Sequence, residues 1–348
     1  MVNVFLWVVG ILLAFQLILL LGLIIWKTRT LAKEKILGAE VDRLMPAYRE
    51  YIKASRSEQP KLSANAKLQA AAIERTLDQL MSEADAEHEK NKVMELADQN
   101  LSAYYRNVLK KGKWADRINT LYFIEDFRMA SLQDDVFRHF KKLRKQDEEY
   151  RQCLRSAAVL QDSKVIDVLL ANQTLSTGFI KEILFRLKPS LLVDLSRRLA
   201  VNDKATENLL FAFITINGEQ KNELFFPFVE NLMLDNRLEV RIKAMKSLCN
   251  YEKLQDPSKL SGFFKSANWE ERMYAAKLTG ACRLNGFTES LVELFSDPVW
   301  WVRFSAAENI YELDNGAGML KRIGATSKDA YARDIANHML TRKGGKSQ

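Results

Sequence analysis

SDPVWWVRFSAAENI, Ser296 to Ile310, sets two adjacent tryptophans and one arginine behind an Asp-Pro pair. Asp297 suits the turn before a helix, because its carboxylate accepts N–H bonds that the first helical turn leaves unpaired. Pro298 suits the first helical position, where a missing N–H does no harm. Val299, Val302, Ala306 and Ile310 then recur at helical spacing and should face inward. A helix rotates about 100° per residue, so at least one of Trp300 and Trp301 should turn toward a neighbouring helix while the other reaches the surface. Taken alone the stretch is one amphipathic helix. It decides the fold because it recurs.

Two upstream segments share its register: LDNRLEVRIKAMKSL, Leu234 to Leu248, and KSANWEERMYAAKLT, Lys265 to Thr279. Arg241, Arg272 and Arg303 are spaced 31 and 31, and so are Ala244, Ala275 and Ala306. Leu238, Trp269 and Trp300 keep step, as do Asp235, Ser266 and Asp297. Such an internal period means stacked supersecondary units. Each unit reads as helix, turn, helix. Apolar runs at Phe228 to Met233, Leu260 to Phe264 and Leu291 to Phe295 form the helix before each turn, and the small alanines admit close helix contact in the helix after it.

The turn Asp, the Val-Arg pairs Val240-Arg241 and Val302-Arg303, and the alanine three residues on resemble the HEAT-repeat family, in the short form of about 30 residues common in bacterial proteins. The resemblance implies an all-α superhelical solenoid. It also implies a hydrogen-bonded ladder between successive units, built by Asp235, Arg241, Arg272, Asp297 and Arg303. The middle unit departs from the motif: Ser266 stands for Asp, and Glu271 precedes Arg272 where Val is usual. Its rung is expected to be weaker. Degraded copies extend upstream. Trp114 and Arg117 match Trp269 and Arg272, and the stretches Lys145 to Leu160 and Val201 to Phe213 keep parts of the pattern. About six or seven units are expected over residues 100–345.

Composition agrees with helices. Only 6 prolines and 14 glycines in 348 residues leave too few turns for a sandwich or barrel. The three cysteines, Cys153, Cys249 and Cys282, form no CxxC or Cys/His cluster and read as reduced core residues. Val4 to Trp26 is 23 residues with one strongly polar side chain, Gln16. As a helix it spans about 35 Å, enough to cross a bilayer core. It lacks the basic n-region and short apolar core of a signal peptide, so a retained anchor is expected. Lys27, Arg29, Lys33 and Lys35 follow it and no cation precedes it, which orients the N-terminus outside and the rest in the cytoplasm. The expected organisation is an anchor with basic flank over 1–30, juxtamembrane helices over 31–99 and the solenoid over 100–345. Within the middle part, Pro46 should break or kink a helix, Ser55 to Asn65 should be a linker, and two amphipathic helices should flank Ser82 to Lys92. These helices form a hairpin or, alternatively, a coiled-coil dimer.

No constellation for catalysis, metal or cofactor stands out. His88, His139 and His338 are isolated and HExxH is absent. Asp134-Asp135 and Glu148-Glu149 read as solvated helical surface. The net charge of +8 suits an anionic or acidic neighbour, and Lys141, Lys142, Arg144 and Lys145, beside Arg138, form its densest cluster on what should be a helical face. The expected role is a non-catalytic, membrane-anchored scaffold for a protein partner, such as a transporter, a secretion component or a membrane glycosyltransferase. Its candidate interaction surface is Trp269, Trp300, Trp301 and the basic cluster. No nucleic acid, small-molecule substrate or cofactor is expected. The alternatives are an enzyme or enzyme subunit, since some short-HEAT proteins resemble bilin lyases, and a basic solenoid that binds anionic lipid or nucleic acid.

Overall fold

The computed structural model describes residues 2–54, 66–201 and 206–344. Among them the fold is all-α, with no strand. The chain divides into two compact units, Met1–Asp162 and Ser163–Gln348. The linker expected at Ser55 to Asn65, residues 202–205 and the basic tail from residue 345 lie outside the described residues.

The first unit opens with one helix, α1 (Val2–Ala54), followed by α2 (Ala66–Glu83), α3 (Glu87–Lys111), α4 (Trp114–Asp126), α5 (Gln133–Phe140) and α6 (Glu148–Val159). α1 continues past residue 30, and α3 past residue 99. The apolar part of α1 is exposed from Gly10 to Trp26, and among the described helices only α1 is long and apolar enough to cross a membrane. Pro46 lies inside α1 and does not end it, so the break allowed for at this proline is not found. Val41, Leu44, Tyr48 and Ile52 share one face of α1 and are buried where α2 and α3 pack on it. That burial outweighs the roughly 3 kcal/mol cost of an interior proline. Arg75 to Glu34 (3.0 Å) and Arg49 to Glu83 (2.7 Å) tie α2 to α1. The α2–α3 break is shorter than expected. α3 already begins at Glu87, where Glu87 and Glu89 favour a helix N-terminus.

The second unit holds α7 (Lys164–Ala171), α8 (Thr177–Arg186), α9 (Pro189–Val201), α10 (Glu207–Glu219), α11 (Phe226–Asn231), α12 (Leu238–Tyr251), α13 (Trp269–Ala281), α14 (Thr288–Glu293), α15 (Trp300–Ile310), α16 (Gly316–Thr326) and α17 (Ala330–Gly344). Within it α8, α10, α12, α13, α15 and α17 pack in chain order, each on the next. Val240, Ala244 and Leu248 of α12 are fully buried, as are Ala275 of α13 and Val302, Ala306 and Ile310 of α15. The helices before the turns are only partly α-helical. α11 and α14 end in 3-10 turns, and Pro257–Lys265 is 3-10 throughout. Between the end of α10, α12 or α13 and the next turn lie 14 or 15 residues, and the greater rise per residue of 3-10 winding lets them span more distance than an α-helix of that length.

α10, α12 and α13 are each followed closely by a residue with positive φ. Lys221 (48°), Glu252 (57°) and Arg283 (49°) keep the 31-residue spacing, and none is glycine. After α10 and α13 the next two N–H groups close a double C-cap: Lys221 to Gly218 (3.2 Å) with Asn222 to Asn217 (2.9 Å), and Arg283 to Gly280 (3.1 Å) with Leu284 to Thr279 (2.9 Å).

Candidate functional site: an arginine ladder and its last rung

The arginine of each repeat stands at the fourth position of a helix whose turn begins six residues earlier. Its Nη1 donates back to the carbonyls of that turn. Arg241 reaches Asp235 O (2.8 Å) and Asn236 O (3.0 Å), and Arg272 reaches Ser266 O (2.7 Å) and Ala267 O (3.2 Å). Arg303 reaches Asp297 O (2.6 Å) and Pro298 O (3.2 Å), and Arg333 reaches Ser327 O (2.9 Å) and Lys328 O (3.2 Å). Arg333, 30 residues after Arg303, takes the same place in the next unit, although it is not among the expected ladder residues.

The other edge of the guanidinium reaches into the next unit. Arg272 Nε and Nη2 donate to both oxygens of Asp297, at 2.6 and 3.0 Å. Asp297 Oδ1 also accepts the Val299 N–H at 2.8 Å. The helix therefore starts at Trp300, and Pro298 precedes it instead of occupying its first position. The turn carboxylate binds the N–H two residues ahead, so Val299 becomes the cap. In the middle unit, where a weaker rung is expected, a different carboxylate takes the place of the turn Asp, with one guanidinium bond where Arg272 makes two. Arg241 Nε donates to Glu271 Oε1 at 2.5 Å, and Ser266 Oγ donates to the same carboxylate. Glu271 reaches back from the helix to the place where a turn Asp would sit. Burial pushes its carboxyl up, but the bonds from Ser266 and Arg241 together outweigh burial and hold it below the usual range. Asp235, at the start of the ladder, pairs within its own turn with Arg237 Nε and Nη2 (both 2.9 Å). That bond holds its carboxyl low.

The first unit contains the same device. Arg117 of α4 donates from Nη1 to Gly112 O (2.6 Å) and from Nε and Nη2 to Glu149 of α6 (2.5 and 2.9 Å). His139 Nε2 lies 2.8 Å from Glu149 Oε1. Glu149 and Asp135, expected on solvated surface, are buried, and Asp135 accepts from Arg106 (2.9 Å) and Arg138 (2.6 Å). Arg138 is a local partner, but Arg106, Arg117 and His139 lie 10 to 32 residues away, beyond the reach of a local pattern. Lys141, Lys142, Arg144 and Lys145 are exposed, but in the loop between α5 and α6 and not on a helical face, because α5 stops at Phe140.

Trp269 is half-buried, whereas Trp300 and Trp301 are 47% and 56% exposed, so neither of the pair takes the inward position expected of one. The first turn of α15 projects past the packed face, and the inward places go to Val302, Ser305 and Ala306. The two indoles meet edge to face at 4.7 Å, and Trp300 stacks on Phe304 at 5.0 Å. Beside them a cleft of about 250 Å³ is lined by Trp300, Arg303, Tyr331, Asp334, Ile335 and His338. Tyr331 is 68% exposed, and its ring centre is 5.1 Å from the Arg303 guanidinium carbon. Cys249 and Cys282 are half-buried free thiols whose surroundings push them up to about 12, so they stay protonated at neutral pH.

Residues 287–316 match the HEAT repeat family. No curated protein matches the chain. Among solved structures the chain is similar to one engineered protein at 14% identity and a TM-score of 0.34, covering 87% of this chain and 98% of that one. It is similar to a second engineered protein at 15% identity and a TM-score of 0.22, covering 78% of this chain and 96% of that one. With one unit matched, two upstream units in the same 31-residue register and one guanidinium geometry common to all three, these repeats are HEAT-like.

Proposed function

We propose that this chain is a non-catalytic scaffold, anchored in the cell membrane by the apolar part of α1, that holds a protein partner on the repeat helices from the cytoplasmic side. The observation that carries this reading is the pair Trp300 and Trp301. Both indoles are exposed, on a helix whose start is pinned by the Arg272–Asp297 rung. Exposed aromatics on a rigid frame are what protein interfaces use as anchors, because they bury much area for little lost side-chain freedom. The cations after Trp26 support the cytoplasmic orientation. In-cell crosslinking of the full chain, followed by identification of what copurifies, tests the reading. The double variant Trp300→Ala/Trp301→Ala is expected to lose capture about tenfold or more while melting normally. Undiminished capture by that variant would remove the tryptophans from the interface.

One observation favours a second reading. The exposed loop cations Lys141, Lys142, Arg144 and Lys145 suit anionic headgroups, at about 1 kcal/mol each near a charged surface. Salt-sensitive binding of the protein to phosphatidylserine vesicles, lost on reversing these four charges, would favour it over the scaffold.

A further inference from the structure

We propose that Arg303 is an open rung, completed by the carboxylate of an acidic side chain on the partner polypeptide. The inference rests on the scaffold reading and names the chemistry of its partner. At Arg117, Arg241 and Arg272 the guanidinium has the same division. Nη1 holds the turn of its own unit, and the Nε edge takes a carboxylate from the next. At Arg303 the first half is present, with Nη1 on Asp297 O and Pro298 O. The second half is not. Among the described residues no carboxylate lies within ion-pair distance of Arg303, and its partner across the gap is the exposed ring of Tyr331.

The next unit explains the vacancy. Its turn position is Ser327, the counterpart of Ser266, and its helix position is Ala332, the counterpart of Glu271. The Ser/Glu device that serves Arg241 is therefore half deleted. Asp329 is near enough to feel the Arg303 charge, but its carboxylate is engaged by Ser296 and by the N–H groups of Tyr331 and Ala332. Asp334 and His338 line the cleft and make no ion pair with Arg303. At the other end of the ladder the chain supplies its own closure, with Arg237 on Asp235.

Arg303 lines a cleft of about 250 Å³, below the roughly 300–1,000 Å³ of small-molecule sites and of a size for one or two side chains. A guanidinium fork takes a carboxylate with two parallel bonds, and that planar match is the one the neighbouring rungs use. Trp300 and Ile335 offer apolar area for the residue beside the acid. The occupant is a polypeptide that presents Asp or Glu next to an apolar side chain; its carboxylate stands in for the one that the following repeat gives Arg241 and Arg272.

The test places a photoreactive benzophenone amino acid at Trp301 in the full-length chain, in cells, and maps the attachment on whatever is captured. Ala332→Glu restores the missing half of the Ser/Glu device and fills the rung from within. The attachment is expected on another protein, within a few residues of an Asp or Glu. Ala332→Glu is expected to cut capture about tenfold or more without lowering the melting temperature. Should Ala332→Glu melt early, Arg303→Lys keeps the charge but loses the fork, and a severalfold loss of capture is expected there. Wild-type capture by either variant in folded form overturns the open rung and leaves the scaffold standing. Capture of no protein at Trp301 overturns both. Attachment to a lipid, to a second copy of this chain or to a peptide without an acidic residue overturns the inference.

Discussion

At the scale of single residues, the middle rung shows one geometry reached by two chemistries. Asp297 delivers its carboxylate from the turn, whereas Glu271 delivers one from the helix with Ser266 as a second donor. Introducing the usual turn residue there should therefore harm the protein. Ser266→Asp puts a second carboxylate against Glu271 and removes a donor, and we expect a loss of about 1–2 kcal/mol by chemical denaturation. Glu271→Gln leaves the half-buried Arg241 fork without its anion and is expected to cost about 1–3 kcal/mol at neutral pH. The sign of its pH dependence follows from the lowered carboxyl of Glu271, which Glu149 shares. A group whose folded value is depressed contributes stability above its unfolded value, near 4.3, and loses it as pH falls through the folded value. Melting curves from pH 7 to pH 3 should show a shallower acid loss for Glu271→Gln than for the parent protein.

At the scale of elements, helix ends and helix contacts carry the repeat as firmly as the arginines do. Arg283 is exposed at φ 49°, a conformation that costs a side chain about 1 kcal/mol and a glycine almost nothing. Arg283→Gly is expected to raise stability by about 0.5–1 kcal/mol, read as a higher denaturation midpoint. Gly218 is the opposite case. A Cβ there would lie 1.8 Å from Ser247 Oγ, whose hydroxyl donates to Ile214 O at 2.9 Å across the α10–α12 contact. Alanine gains up to about 1 kcal/mol in helix propensity, but overpacking of this kind costs about 1–3 kcal/mol, so Gly218→Ala should lower stability on balance. In α1, Pro46 is exposed and removes one backbone bond, so Pro46→Ala should stabilise the packing of α1, α2 and α3 by about 1–3 kcal/mol in a melt.

At the scale of the molecule, one helix carries two kinds of surface. From Gly10 to Trp26 α1 is apolar on every side and exposed, while from Val41 to Ile52 one face is buried and Asp42, Arg43, Arg49 and Glu50 lie off it. Burial in lipid is the environment in which an all-round apolar helix is stable, because water around it costs about 25 cal/mol per Å² of apolar surface. The full-length chain is therefore expected to stay in the membrane pellet after alkaline extraction. A chain lacking residues 2–26 should move to the supernatant and keep its helical circular dichroism. A full-length chain that washes off at high salt would instead point to peripheral attachment through the basic residues.

Sequence by itself determined the periodic part of this protein: the helices, the 31-residue beat, the small residues at the helix contacts and the apolar run. Each is written in spacing and in side-chain class, which a single strand of text preserves. Only the tertiary structure decided which carboxylate meets which arginine. The acceptors of Arg272, Arg241 and Arg117 lie 25, 30 and 32 residues away and come from different positions in their units. It likewise decided that Trp300 and Trp301 both face out and that Arg303 has no carboxylate to meet, since a rung exists only once one unit is stacked on the next.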